Sequence, residues 1–326
     1  MGTSVSAQTG TELLVVNQHD RNVSIVEPRT GGVLTVVAVG GVTGHEVAVT
    51  PDGQTAFVPI YGDSGVGRPG TDGSTIAVID LTTRKLRGMV DFGHGVRPHC
   101  PVYDRRREVL YVTTELDQSV SVVDPRSMKV VGAIPTGEPE SHMLVLSHDG
   151  RRAYTANVGP GSVSVLDPKA RRTVAVVRVA RNVQRISISN DDSMVFTADQ
   201  DQPRMAVIDT RTNSVARWIP LPGIGYGAAV TKDGRFLLVA LPEEGKLAVV
   251  DLGQLKVVRT LDVGHGPVEV LVRPDGLAAY VSCSPDAAIM ELTLAGSVAG
   301  WRVTRRIAAG AGADGLAWAE SKEAGR

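Results

Sequence analysis

Three histidines occupy one position in a recurring pattern of the chain. They are His45 in GHEVAVTPDG (44–53), His99 in PHCPVYDRR (98–106) and His142 in SHMLVLSHDG (141–150). Each lies seven residues ahead of the same point in a polar turn. Neutral imidazole nitrogens are good ligands for Zn, Fe, Cu, Ni or Mn and poor ligands for Mg²⁺ or Ca²⁺. If the fold brings them together, they predict a transition-metal site with an open coordination position.

A repeat of about 42 residues sets this spacing. One strand type recurs as VSIVE (23–27), IAVID (76–80), VSVVD (120–124), VSVLD (163–167), MAVID (205–209), LAVVD (247–251) and IMELT (289–293). Strand-like alternation, Asp-Gly turns and the absence of a long helical period indicate four short strands in each unit. Seven such units predict an all-β, seven-bladed β-propeller that spans 11–320 as one domain, with flexible tails at 1–10 and 321–326.

The two ends of the chain predict how the propeller closes. The first strand pattern, LLVVN (13–17), corresponds to the second strand of a unit, and the chain ends with an unpaired first strand, GLAWAE (315–320). Pairing the C-terminal strand with the N-terminal blade would complete that blade and leave no open sheet edge.

Several of these strands resemble the YVTN repeat family of seven-bladed propellers, the YncE-like proteins. The resemblance rests on AYTAN (153–157), AYVSC (279–283), VSVVD (120–124) and the PDG turns. It implies the propeller fold but not one activity, because the family includes binding proteins and related propellers are enzymes. In this family histidine often follows proline at the position of His99, so a purely structural role is an alternative.

Aligning the repeats places seven residues at equivalent points, which we call the mouth positions. They are His45, His99, His142, Gln184, Tyr226, Val268 and Asp314. In propellers this position opens the innermost strand, so the seven side chains should circle one mouth of the channel, with Asp314 next to His45. We predict that the three histidines bind a metal, assisted by Asp314 or by His19 from the loop at 17–22. Alternatively, the imidazoles line a wet channel and bond to loop carbonyls.

Further side chains near the same mouth are candidates for catalysis. Glu138 or Glu140 could act as a general base on a metal-bound water or hold an imidazole tautomer. Tyr226 could donate its phenol to a substrate oxygen, and His94 could touch the substrate. The alternatives are a solvated acidic loop, a channel plug and an ordinary turn residue.

One unit carries an insertion, YGDSGVGRPGTDGST, which we call the insertion loop (61–75). It is rich in glycine, it is expected beside His45, and it could cover the site as a lid. Its G-x-G-x-x-G spacing does not predict a dinucleotide site, because no helix follows it.

Composition narrows the partners and the compartment. The charges nearly cancel, with 34 basic and 35 acidic residues, which argues against nucleic acid or an anionic membrane as a partner. No apolar run is long enough to span a membrane. If Met1 is the natural start, there is no secretory signal, and two distant cysteines, Cys100 and Cys283, fit a reducing cytoplasm.

These observations favour a metal-dependent enzyme that acts on a small molecule at the mouth of the channel. Zn would favour hydrolytic or lyase chemistry, and Fe or Cu would favour oxidation. The main alternative is a non-catalytic scaffold or ligand-binding protein with a protein partner. A third interpretation is a lactonase or lyase like the related propeller hydrolases.

Overall fold

A computed structural model describes residues 11–320, and within this range the regular secondary structure is β-strand apart from one short 3-10 turn. The predicted tails lie outside the described residues. The first three strands are β1 (Thr11–Asn17), β2 (Asn22–Glu27) and β3 (Gly32–Ala38). Blade 1 contains β4 (Ala48–Val49), β5 (Thr55–Gly62), β6 (Asp72–Asp80) and β7 (Lys85–Asp91). Blade 2 contains β8 (Pro98–Asp104), β9 (Val109–Thr114), β10 (Ser119–Asp124) and β11 (Lys129–Pro135).

The later strands follow the same order. Blade 3 contains β12 (Ser141–Leu146), β13 (Ala153–Asn157), β14 (Ser162–Asp167) and β15 (Arg172–Arg178). Blade 4 contains β16 (Ser187–Ile188), β17 (Met194–Ala198), β18 (Arg204–Asp209) and β19 (Ser214–Pro220). Blade 5 contains β20 (Ala228–Val230), β21 (Phe236–Leu241), β22 (Lys246–Asp251) and β23 (Lys256–Asp262). Blade 6 contains β24 (Pro267–Val272), β25 (Ala278–Cys283), β26 (Ala288–Thr293) and β27 (Arg302–Ala308), with a short 3-10 turn at Val298–Gly300.

The last strand, β28 (Ala313–Glu320), closes the propeller as predicted. It pairs with β1 in the sheet order β28-β1-β2-β3, which we call the closing blade. Its Trp318 packs edge-on against Tyr280 of blade 6 with the ring centroids 5.0 Å apart. The Trp318 indole N–H donates to the carbonyl of Val272 at 3.2 Å, which adds a contact between the two blades. The all-β, seven-bladed prediction is confirmed.

The apolar core lies between the blades. Within the described residues it divides into seven clusters, and each cluster joins two neighbouring sheets. Leu14 and Ile25 of the closing blade, for example, pack with Val58 and Ile79 of blade 1. Because each sheet buries its faces only against its two neighbours, the blades depend on an unbroken circle. Over residues 11–320 no helix is long and apolar enough to cross a membrane.

Candidate functional site

The structure brings the three histidines together. The imidazole centroids of His45 and His99 are 4.9 Å apart, and those of His99 and His142 are 3.6 Å apart. The Tyr61 ring packs edge-on against all three, at 5.3, 5.5 and 5.9 Å. The alignment of the repeats therefore predicted correctly that these residues meet, although they are far apart in the sequence.

A β-bulge at the mouth positions explains how neighbouring side chains share this region. In blade 3, Ser141 pairs with Asn157 and Met143 pairs with Ala156, which leaves His142 as an extra residue in β12. The other innermost strands show comparable register shifts or gaps at the same point. A bulge breaks the regular alternation of side chains and re-aims them. Consecutive residues can therefore both reach the channel side of the strand.

His99 and His142 are buried and neutral. Their side chains belong to residues that are only 1% and 4% exposed. Burial lowers the pKa of His99 well below its usual value, and the nearby His142, His45 and Arg185 lower it further. Burial also lowers the pKa of His142, although Glu115 opposes the shift. Among the described residues, the Nδ1 atoms of both imidazoles have no hydrogen-bond partner.

Asp314 lies beside His45, as predicted from closure of the ring. Its Oδ2 is 3.2 Å from the Nδ1 of His45 and also accepts a hydrogen bond from Gln18. The Gln18 amide nitrogen is 2.7 Å from the same imidazole nitrogen. Burial alone would raise the pKa of Asp314, but the contacts with His45 and Arg185 outweigh it and lower the pKa. The carboxylate is therefore ionised and can orient the imidazole.

Arg185 crosses the channel next to the histidines. Its guanidinium donates to Glu46, to Glu269 at 2.9 Å and to Asp314 at 3.2 Å. It also lies over the Tyr226 ring, with Cζ 4.8 Å from the centroid. These partners come from the closing blade and from blades 1, 5 and 6, so one side chain joins opposite sides of the propeller. The sequence interpretation missed this network.

The two glutamates of this network share one positive partner. Burial raises the pKa of Glu46 to about 8; Arg185 opposes the shift, and the charges of Glu269 and Asp314 add to it. Burial raises the pKa of Glu269 to about 7, again against Arg185 and with Asp314. A single guanidinium does not balance three carboxylates, so protons relieve the excess negative charge.

A second set of equivalent residues packs against the histidines. Each of these residues lies at the end of a blade's second strand and contacts the histidine that opens the next blade. Gln18 contacts His45, Tyr61 contacts His99, and Glu115 contacts His142. Tyr61 lies 16 positions after His45 in the sequence, and Glu115 lies 16 positions after His99. That fixed offset is the signal that could have identified them.

Tyr61 and Glu115 form a buried pair at this second set. The Tyr61 hydroxyl donates to Oε2 of Glu115, and the same oxygen lies 3.8 Å from the Nδ1 of His142. Burial and the bond to Glu115 raise the pKa of Tyr61. Burial would raise the pKa of Glu115, but the contacts with His142 and Tyr61 outweigh it and lower the pKa. The pair is therefore a neutral phenol on a carboxylate.

The two candidate general bases are held by different partners. Glu138 is buried and forms an ion pair with Arg178 at 2.7 Å. The Glu140 carboxylate accepts the backbone N–H of Gly159 at 2.7 Å, and a Cβ built on Gly67 would lie 2.6 Å from its Oε1. Glu140 therefore sits against the insertion loop, whereas Glu138 is tied to the outer strand of blade 3.

The three remaining candidates, Tyr226, His94 and His19, differ in their burial and their contacts. Tyr226 is half-buried under Arg185, and burial raises the pKa of its phenol. His94 is exposed, and a hydrogen bond to Asp117 at 2.9 Å raises its pKa. His19 is exposed beside Gly312, near the closing strand. The roles assigned to these three side chains stay predictions.

The imidazoles stack on one another and do not point at a common centre. Across residues 11–320, no three His, Cys, Asp or Glu side chains converge closely enough to hold a metal ion as they are placed. The donors nevertheless fit a transition metal, because they are imidazole nitrogens and the Nδ1 atoms of His99 and His142 have no hydrogen-bond partner. Binding would require at least one imidazole to turn about its side-chain bonds. The metal site stays a prediction.

One cavity lies between the insertion loop and Glu115. It has a volume of about 380 Å³, and its lining includes Gly67, Arg97, Glu115 and Glu140 but none of the three histidines. A larger cavity of about 770 Å³ lies between Glu12 and Arg305, and none of the three histidines lines it. Glu115 therefore separates a surface cavity from the histidines.

Comparisons with known proteins support the sequence resemblance. A family model described as the Cytochrome D1 heme domain matches residues 103–231, which include His142 but neither His45 nor His99. The protein YncE of Salmonella typhi, described as uncharacterized, is 22% identical over 226 residues, which are 65% of this chain and 64% of the relative. The resemblance to YncE-like seven-bladed propellers is confirmed.

Two other curated relatives match the chain over shorter parts of their length. Antigen Lp49 of Leptospira interrogans is 22% identical over 251 residues, covering 70% of this chain and 54% of the antigen. Protein NirF of Pseudomonas aeruginosa is 26% identical over 171 residues, covering 49% of this chain and 43% of that protein. The chain thus spans less than two thirds of each curated relative named here.

Solved structures share the fold at low sequence identity. The chain matches a hydrazine synthase structure from Kuenenia stuttgartiensis with a TM-score of 0.75, 20% identity and coverage of 90% of this chain and 98% of the other. It matches the periplasmic gluconolactonase PpgL of Pseudomonas aeruginosa with a TM-score of 0.77, 18% identity and coverage of 96% and 99%. Propellers of this shape therefore occur in proteins named as enzymes.

Proposed function

We propose that this YncE-like propeller is a metal-dependent enzyme that acts on a small molecule at the mouth of its channel. His45, His99 and His142 would bind a divalent transition metal. The observation that carries the proposal is the pair of buried, neutral imidazoles whose Nδ1 atoms have no hydrogen-bond partner among the described residues. Buried polar atoms without partners are rare, and a bound ion is one of their ordinary explanations.

The charges around the imidazoles favour a cation. Five carboxylates face two guanidiniums around the imidazoles: Arg97 pairs with Asp72 and Glu115, and Arg185 pairs with Glu46, Glu269 and Asp314. Without a metal, protons on Glu46 and Glu269 relieve part of this negative charge. A divalent metal held by the imidazoles would replace those protons and balance the ionised carboxylates.

The surrounding residues would orient the ligands. When His45 donates its Nδ1 proton to Asp314, its Nε2 carries the free lone pair. At His142 the Nδ1 atom lies 3.8 Å from Glu115, beyond hydrogen-bond distance, so this nitrogen has its lone pair or proton unengaged. A metal held there would supply a Lewis acid for hydrolysis or elimination, or a redox centre if it were Fe or Cu. Lactone opening is the first activity to assay, since a gluconolactonase shares the fold.

Elemental analysis of protein purified without a tag or a nickel column tests the proposal. We expect about one transition metal per chain. The double variant His45→Ala/His99→Ala should lose it. The matched control is His148→Ala/His265→Ala, because both histidines are exposed and bond to aspartates outside the site. The control should keep the metal.

The opposite result would support the alternative of a non-catalytic scaffold. Wild-type protein that takes up no metal after incubation with Zn²⁺ or Co²⁺ would refute the enzyme proposal. Equal metal content in the double variant and the control would also refute it, since the metal would then be bound elsewhere.

A further inference from the structure

The insertion loop is fastened by one buried arginine. Arg97 is 5% exposed and has a left-handed backbone, with φ of 50°. Its guanidinium donates to the carbonyl of Arg68 at 2.7 Å, to the carbonyl of Gly65 at 3.3 Å and to the carboxylate of Asp72 at 2.6 Å. These three acceptors span the insertion, so Arg97 holds both its tip and its returning strand.

Glu115 connects the same loop to the histidines. The residue is 2% exposed. Its carboxylate accepts the hydroxyl of Tyr61, the backbone N–H of Gly67 at 3.3 Å and the guanidinium of Arg97 at 3.4 Å. The same side chain lies 3.8 Å from the Nδ1 of His142. Hydrogen bonds to a charged acceptor are stronger than neutral ones, so these contacts depend on the negative charge of Glu115.

The exposure of the imidazoles differs across the site. The side chain of His45 is 24% exposed to solvent, whereas the side chain of His142 is 5% exposed. His99 is 1% exposed as a residue. Tyr61, the first residue of the insertion loop, packs on all three rings. The covered side of the site is therefore the side that the insertion loop and Glu115 occupy.

We propose that Glu115 is a positioning residue that holds the insertion loop closed over His99 and His142. A molecule that approaches these imidazoles from that side must first break the contacts of Glu115 with the loop. The inference deepens the proposed function, because it identifies what regulates access to the same site. Its physical test needs no metal.

The decisive variant is Glu115→Gln, which keeps the shape of the side chain but removes its charge. Two readouts apply: amide hydrogen exchange of peptides covering residues 62–72, and the rate at which diethylpyrocarbonate modifies His99 and His142. The exposed His265 serves as the internal standard for the reagent. Weakening several bonds to a charged acceptor should make both rates about tenfold faster.

The matched control is Asp199→Asn. Asp199 is also a buried carboxylate just after the second strand of a blade, and it pairs with Arg204 at 2.9 Å, away from the three imidazoles. It should leave both readouts at their wild-type values. Arg97→Lys provides a second variant, since a lysine keeps the charge but not the fork that binds several acceptors. It too should open the loop.

Unchanged loop exchange and unchanged imidazole modification in both variants would overturn the inference. Equal acceleration in Asp199→Asn would also overturn it, because general destabilisation would then explain the effect. A Co²⁺ titration separates this result from the enzyme proposal. If wild-type protein binds no cobalt but the insertion loop opens in Glu115→Gln, the metal-dependent enzyme is refuted and the positioning role of Glu115 is supported. If the protein binds cobalt but the loop exchange is unchanged in Glu115→Gln, only the positioning role of Glu115 is refuted.

Discussion

Replacing Glu269 with glutamine should make the stability of the fold less sensitive to pH. Its pKa in the folded protein is about 7, mainly because of burial, with Asp314 adding to the shift and Arg185 opposing it. Its ordinary value is 4.5. The folded state therefore binds more protons than the unfolded state between these values. Stability contributed by this group is lost as the pH rises from about 4.5 to about 7.

The size of the effect follows from the shift. Each pKa unit corresponds to about 1.4 kcal/mol, so the shift amounts to about 3 kcal/mol in the free energy of unfolding. Glutamine cannot ionise, so the variant should gain most of that amount relative to wild type between pH 5 and pH 8. Removing the charge of Glu269 also relieves Glu46, which acts in the same direction.

Urea unfolding followed by tryptophan fluorescence at pH 5, 6, 7 and 8, after dialysis against a chelator, measures this difference. The control is Met143→Leu, which alters the sulfur that Arg185 contacts at 3.7 Å without adding or removing a titrating group. Its effect should be the same at every pH. If Glu269→Gln shifted the free energy of unfolding equally at pH 5 and pH 8, the idea that Glu46, Glu269 and Asp314 share the single guanidinium of Arg185 would be wrong.

Two further predictions concern the closure and the channel. Truncation after Arg306 removes β28 and the last two residues of β27, so the closing blade loses its innermost strand and the contact of Trp318 with blade 6. We therefore expect an aggregating chain on size-exclusion chromatography; a soluble monomer with an unchanged melting temperature would contradict this. Arg185→Met leaves three buried carboxylates without their cation and should destabilise the fold by about 3–5 kcal/mol at pH 7.5. Because protonation neutralises those carboxylates, the loss should shrink at pH 5, and a loss that grew on acidification would contradict the charge argument.

The sequence predicted the parts of this molecule that repeat. The strand pattern recurs with a constant period, so equivalent positions could be aligned, and the meeting of His45, His99 and His142 followed. The placement of Asp314 beside His45 followed from pairing the last strand with the first blade. Circular symmetry converts a period along the chain into a position in space, which is why these residues could be placed without coordinates.

The rest depended on departures from the repeat. With regular alternation along a strand, Glu46 and Arg185 would point to the opposite side from the mouth positions His45 and Gln184. The bulge at each mouth position changes the direction of these side chains. No residue pattern in the sequence marks that bulge. The contacts of Glu115 with the insertion loop depend on how a unique segment folds back. The orientation of each imidazole depends on side-chain rotation, which the spacing of residues does not determine.

The closing strand also places the histidine site late in biosynthesis. Asp314, which contacts His45 and Arg185, belongs to the strand that is made last among those of the propeller. A chain still growing on the ribosome can present all three imidazoles before this carboxylate has left the exit tunnel. The orientation of the His45 imidazole must therefore await the synthesis of β28, so a chain that stops before this strand lacks part of the site even where its earlier blades have folded.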